Sequence, residues 1–224
     1  MKLNIKKAVV IAPHPDDETL GVGGSIKRMI KEGIKVSILT VSGHMPPLYS
    51  EQTYLKTISE SKKAMKYLGV KDFEYLKIPA TMLNEIPVAS LNKQISNFIE
   101  KRGPDTIFIP FPDRHIDHRL IFDASIVASR PLSKKSPKNV LLYETLSETH
   151  WNVPAVEASF VPDFFIRIDK EIKNKLSALK LYKSQINKNT PSRSLEAIES
   201  LAKFRGSQNG CSYAEAFKVA RIVI

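Results

Sequence analysis

The chain has 224 residues, of which 42% are hydrophobic and 25% charged, and 34 Lys and Arg against 23 Asp and Glu give a formal net charge of +11 at pH 7. That composition is ordinary for a folded globular domain with a sizeable core, and no apolar stretch approaches the ~20 residues of a membrane span. The N-terminus runs from Met1 through Lys7 into an apolar run without signal-peptide features, and the single cysteine, Cys211, excludes an intramolecular disulfide, so a cytoplasmic protein is expected.

Taken in order, residues 8–12 read as a first strand that stops at Pro13-His14-Pro15-Asp16-Asp17-Glu18. Residues 22–31 have helical spacing in Val22, Ile26, Met29 and Ile30, and Gly33 ends that helix. A second strand at 36–41 leads into a loop carrying His44, a helix at 51–68 ends at Gly69, and 73–78 alternate as a third strand. A helix at 88–101 is broken by Gly103-Pro104, and the strand at 106–109 runs into Pro110-Phe111-Pro112-Asp113-Arg114-His115-Ile116-Asp117-His118-Arg119. Beyond a helix at 117–129 come a basic loop at 131–137, a strand at 140–143, and a polar loop with the only tryptophan, Trp151, which suits either sugar stacking or packing. A late strand at 164–168, a helix capped by Asp169 and reaching 186, and helices at 194–204 and 213–220 complete the chain. Strands alternating with helices predict an α/β fold, a single-domain Rossmann-like three-layer sandwich with a mostly parallel sheet.

In such sheets ligands sit beyond the carboxyl ends of the strands. His and carboxylate are common ligands of zinc and related metals. One tight turn can aim His14 and Asp17 at one ion, with Asp16 addressing a water. Asp16 and Asp17 equally suit a cap at the start of the next helix. The second cluster, with His115 and His118 three residues apart, follows another strand on the same edge of a parallel sheet and favours a metal site.

Pro-His-Pro-Asp-Asp-Glu early in the chain with His-x-Asp-His near its middle resembles the PIG-L/LmbE-like zinc-dependent N-deacetylases. Glu60 to Leu68-Gly69, Pro162-Asp163 to Ile168-Asp169, Lys175, Ala178-Leu179, Ser184-Gln185, and Arg205-Gly206 followed by Tyr213-Ala214-Glu215-Ala216-Phe217 extend the resemblance over nearly the whole chain. It implies one PIG-L/LmbE-like deacetylase domain over 1–224, with zinc or another divalent metal held by His14, Asp17 and His118. It also implies Asp16 as general base and His115 as the group that stabilises the oxyanion or protonates the departing amine. Asp117 either orients His115 and favours its charged form or caps the following helix. Members often carry Arg two or three residues before the position of Glu60, where this chain has Thr57 and Ile58. Lys56 and Arg114 are the basic replacements to consider, and His44 and Trp151 are further candidate substrate contacts.

The implied reaction is hydrolysis of the N-acetyl group of a GlcNAc-type sugar, free or in a glycoconjugate. An amidase for another acyl group and a non-catalytic sugar- or nucleotide-binding module are the alternatives. The glycines at 21, 23 and 24 do not make Gly-x-Gly-x-x-Gly. The basic residues, densest at Lys134, Lys135 and Lys138 and over 170–188, lack interleaved aromatics. They read as solvated helix faces rather than a nucleic-acid surface, with a positive field that suits an anionic small-molecule substrate. Homo-oligomerisation is left open.

Overall fold

The computed structural model describes residues 5–186 and 191–223. Seven strands form one sheet in the order β3-β2-β1-β4-β5-β7-β6. They are β1 (Lys7–Ala12), β2 (Lys35–Gly43), β3 (Asp72–Pro79), β4 (Thr106–Pro110), β5 (Asn139–Tyr143), β6 (Phe164–Arg167) and β7 (Ala214–Arg221). The first five are parallel to one another, and β7 runs antiparallel to both β5 and β6. The helices are α1 (Asp17–Lys31), α2 (Glu51–Leu68), α3 (Val88–Arg102), α4 (Ile116–Ala128), α5 (Ile172–Leu179) and α6 (Leu195–Ser207).

The three layers follow from the period-two alternation of the strands. In β1, Ala8 and Val10 face a core shared with Leu20 and Ile26 of α1, Met65 and Leu68 of α2, Leu179 of α5 and Ile198 of α6. Val9 and Ile11 face the opposite core, built with Leu91 and Ile95 of α3 and Ile121 of α4. The α2 boundaries match their sequence signals: the Ser50 hydroxyl accepts from the Thr53 amide at 3.1 Å, and Gly69 closes the helix at φ 97°. Gly21 and Gly24 serve packing. A Cβ at Gly21 would lie 2.2 Å from the Tyr143 ring, and one at Gly24 would lie 2.7 Å from Ile168. Among the described residues no helix is long and apolar enough to cross a membrane.

Two expectations are corrected. Residues 213–220, rich in the helix formers Ala, Glu and Lys, contribute the strand β7. Pairing on both sides and burial of Ala214, Glu215, Ala216 and Phe217 override local propensity. The helix expected to run from Asp169 to 186 is the short α5, whose preceding cap residue is Glu171. Asp169 instead accepts the Tyr213 amide at 2.7 Å, tying the entry of β7 to the end of β6. Two residues of the motif pattern meet across the fold, since Glu60 of α2 accepts the Ser184 amide at 3.1 Å.

Candidate metal and catalytic site

The strand order reverses between β1 and β4, which are direct neighbours with Val10 opposite Phe108. The crevice beyond the carboxyl ends at such a switch point is where open α/β sheets bind ligands. Both acidic clusters emerge there.

From the β1 side, the His14 amide donates to Asp17 Oδ2 at 2.9 Å. Asp16 sits at φ 134°, a conformation foreign to a residue with a side chain. Its carbonyl starts α1 by accepting the Thr19 and Leu20 amides, but its carboxylate makes no cap hydrogen bond. Capping therefore does not account for the acids. The Asp16 backbone is held by Glu18, whose Oε2 accepts the Asp16 amide at 3.2 Å and whose Oε1 is bonded by the hydroxyls of Thr19 and Tyr182.

From the β4 side, His115 precedes α4 and its Nδ1 accepts the Asp117 amide at 3.2 Å. Among the described residues the Asp117 carboxylate makes no hydrogen bond to the His115 ring. Its Oδ2 accepts from His14 Nε2 at 2.9 Å and from the Thr81 amide at 2.7 Å. The expected pairing of Asp117 with His115 is thus replaced by a pairing with His14. Nor does its side chain cap α4, since the capping side chain is that of His115. Asp113, given no role from the sequence, is fully buried. It accepts from His118 Nδ1 at 2.9 Å, from the Thr149 hydroxyl at 2.9 Å and from the His115 amide at 3.1 Å. Its place five residues before His118, in the loop that leads into α4, is the only signal the sequence carries for it.

These carboxylates assign the imidazole tautomers. With Nε2–H of His14 given to Asp117 and Nδ1–H of His118 given to Asp113, the remaining ring nitrogens present lone pairs. Those atoms, His14 Nδ1 and His118 Nε2, lie 3.2 Å and 3.3 Å from Asp17 Oδ2. Three acceptors facing one another in a buried space need positive charge between them. A divalent cation fits this donor set of two nitrogens and one carboxylate oxygen. Protons are the alternative occupant. Burial opposes charge on these imidazoles, yet hydrogen bonds and negative charge from Asp117 and Asp17 raise His14 to about 9, and Asp17 and Asp113 raise His118 to about 10. The same neighbourhood works in reverse on Asp17: burial alone would raise it, but His118 and His14 hold it well below the usual carboxylate range.

His115 stands beside this set. Its ring centroid is 4.5 Å from that of His14 and 5.1 Å from that of His118, and its ligand atom belongs with theirs to one cluster spanning 4.8 Å. Burial, with charge on His14 and His118, lowers it to about 4. That lowering favours the neutral imidazole, against the charged form that an orienting Asp117 would favour. With Nδ1 occupied as an acceptor, it presents Nε2–H as a donor.

Asp16 completes the group. Its Oδ2 is buried without a hydrogen bond among the described residues. Burial, and then the charge of Asp17, raise its carboxyl to about 8. His44 stacks with His14 at a centroid separation of 6.0 Å, with Tyr49 edge-on behind it at 4.7 Å. The other basic candidates and Trp151 stay outside. Lys56 is exposed on α2, Arg114 pairs with Glu157 at 2.7 Å, and Trp151 is exposed after β5. The structure supplies an arginine from elsewhere: Arg193 Nη1 lies 3.8 Å from Asp16 Oδ2. It comes from a short turn, Pro191–Arg193, distant from both clusters along the chain and without a motif of its own.

Solved structures share this architecture, and curated relatives are similar in sequence. The diacetylchitobiose deacetylase of Thermococcus kodakarensis is 28% identical over 96% of this chain and 83% of its own length. A probable N-acetyl-alpha-D-glucosaminyl L-malate deacetylase 2 of Bacillus cereus is 26% identical over 80% and 84%. The structure of N,N′-diacetylchitobiose deacetylase from Pyrococcus horikoshii superposes with a TM-score of 0.78 at 23% identity, covering 97% of this chain and 85% of that one. Residues 9–129, which span β1 through the end of α4 and hold both acidic clusters, match the PIG-L description, GlcNAc-PI de-N-acetylase. The chain belongs to that family.

Proposed function

We propose that the protein is a metal-dependent hydrolase that removes the N-acetyl group from a GlcNAc-type amino sugar. The observation that carries this reading is the convergence of His14 Nδ1, His118 Nε2 and Asp17 Oδ2 beside the unpartnered, buried carboxylate of Asp16. Its relatives named as deacetylases of diacetylchitobiose and of a glucosaminyl malate support the substrate class.

His14, Asp17 and His118 would hold the metal, with zinc the ion best suited to the donor set. When bound, a divalent ion of this kind lowers the pKa of water from about 15.7 to about 7 and polarises a carbonyl. Asp117 and Asp113 keep the two imidazoles in the tautomers that expose the ligating nitrogens. Asp16, which the positive charge of a bound cation would return to its ionised form, takes the proton of the attacking water as the C–O bond forms. His115 donates its Nε2–H to the carbonyl oxygen as negative charge develops there. The C–N bond then breaks. The proton held by Asp16 passes to the nitrogen, giving a free amine and acetate.

The experiment is amine release from a panel of N-acetylated sugars, free, disaccharide, inositol-linked and malate-linked, with zinc, after chelation, and with Asp16→Asn. Zinc-dependent release lost in the variant is the expected result. No release from any acetamide by protein shown to contain zinc would refute the deacetylase reading.

A further inference from the structure

The net charge of +11 suggests an anionic substrate, but its placement does not. Exposed Lys7, Lys31, Lys35, Lys71, Lys101 and Lys135 lie where helices end and parallel strands begin, the edge opposite the site. On the site edge, Arg114, Arg119 and Arg193 are paired with carboxylates of the segment after β5. Arg114 and Arg119 both reach Glu157. Arg193 reaches Glu148 at 3.1 Å.

Arg193 differs from the other two because it is drawn into the crevice. Its side chain is only 22% exposed. Nε donates to the Ser147 hydroxyl at 3.1 Å, and Nη2 donates to Glu148 Oε1. Ser147 holds that position at φ 77°, again a backbone conformation unusual for a residue with a side chain. Two edges of the guanidinium are thus fixed. Nη1 makes no hydrogen bond among the described residues and lies 3.8 Å from Asp16 Oδ2. A rigid donor is left over within reach of the group that faces the scissile amide. Flanked by Glu148 and Asp16, it does not present net positive charge. A phosphate or carboxylate arriving here meets two carboxylates for one guanidinium. A hydroxyl meets a donor in Nη1 and an acceptor in Glu148.

We propose that Arg193 and Glu148 together read hydroxyl groups of an uncharged N-acetylated sugar next to its acetamide, so that the site takes neutral amino sugars in preference to phosphorylated or carboxylated ones. This rests on the deacetylase reading for the reaction, and on the Arg193 geometry for the preference.

The test compares N,N′-diacetylchitobiose with N-acetylglucosamine 6-phosphate as substrates of the zinc-loaded protein and its variants. The wild type is expected to favour the neutral sugar in kcat/KM by at least about tenfold, since one misplaced charge against two carboxylates is worth that much. Loss of a charge-assisted hydrogen bond in Arg193→Ala raises KM for the neutral sugar about tenfold. Arg193→Lys keeps the charge without the planar fork and leaves KM raised. Glu148→Gln shifts the preference toward the phosphate by about tenfold. A wild type that prefers the phosphate, or an Arg193→Ala variant with unchanged KM, overturns the proposal. If the wild type deacetylates neither compound, the deacetylase reading is decided separately by the wider acetamide panel. Calorimetric binding of the same two sugars to wild type and Arg193→Ala then decides: tighter binding of the neutral sugar, weakened in the variant, sustains the proposal, and absent or unaltered binding overturns it.

Discussion

Asp117 Oδ2 accepts the Nε2–H of His14 at 2.9 Å, so a residue carried by α4 orients an imidazole delivered by the loop after β1. On the proposed reading, Asp117 positions a ligand of the metal. Replacing it by Asn removes the charge that strengthens His14 as a ligand. Asp117→Asn is expected to lower zinc affinity by about 10–100-fold, read by competition with a chromogenic chelator. An unchanged affinity would separate Asp117 from the metal.

Asp16 combines a strained backbone with a buried carboxylate whose Oδ2 has no hydrogen bond among the described residues. Strain of this kind costs on the order of 1–3 kcal/mol. Asp16→Gly is expected to stabilise the fold by about that amount while lowering turnover at least about 100-fold, as expected for a lost general base. Asp16→Asn should lose the same activity and retain zinc. Denaturant unfolding and metal analysis check the two halves separately.

The imidazoles give a pH dependence with a definite sign. In metal-free protein His14 and His118 are raised from 6.5 to about 9 and about 10. Their contribution to stability is therefore full below about pH 6.5 and is lost as pH rises through 9 and 10. Metal-free protein should lose thermal stability between pH 7 and 10, and zinc-loaded protein should lose less. Zinc uptake at pH 7 should also release protons, because the ligating nitrogens must be bare. Titration calorimetry in buffers of different ionisation enthalpy measures that release, and zero release would contradict the assigned ligands.

Lys175 of α5 and Glu215 of β7 form a buried ion pair at 2.6 Å, and Glu215 also accepts the Gly24 and Ser25 amides of α1 at 2.9 Å and 2.7 Å. Lys175→Met leaves a buried carboxylate without its counter-charge and is expected to cost about 3–5 kcal/mol, measured by denaturant unfolding. Restoring neutrality with Lys175→Met plus Glu215→Gln should recover part of that loss.

The sequence was legible where structure depends on neighbours in the chain. Strands β1 to β5, the limits of α2 and the two clusters are marked by local apolar runs, caps and turns. Three features depended on distant partners. Strand β7 carries helix-forming residues and becomes a strand because β5 and β6 offer edges on both sides. Asp117 neighbours His115 in sequence, but the helix start turns its carboxylate toward His14. Arg193 carries no motif, and only the packing of 191–193 against Ser147 and Glu148 brings it beside Asp16. The weight given to Lys56 and Arg114 came from seeking the replacement arginine near the missing one.

Strands β1 and β4 lie side by side, and the segment after each delivers one of the two histidines proposed to hold the ion. A metal held there acts as a clasp across the line where the sheet changes winding direction. The clasp can close only when segments nearly half the chain apart have docked, so metal capture reports long-range assembly rather than local order. Free energy gained on binding is credited to the seam between the two halves of the sheet. Depleting the metal should loosen that seam first, and amides of β1 and β4 should be the first in the core to exchange with solvent.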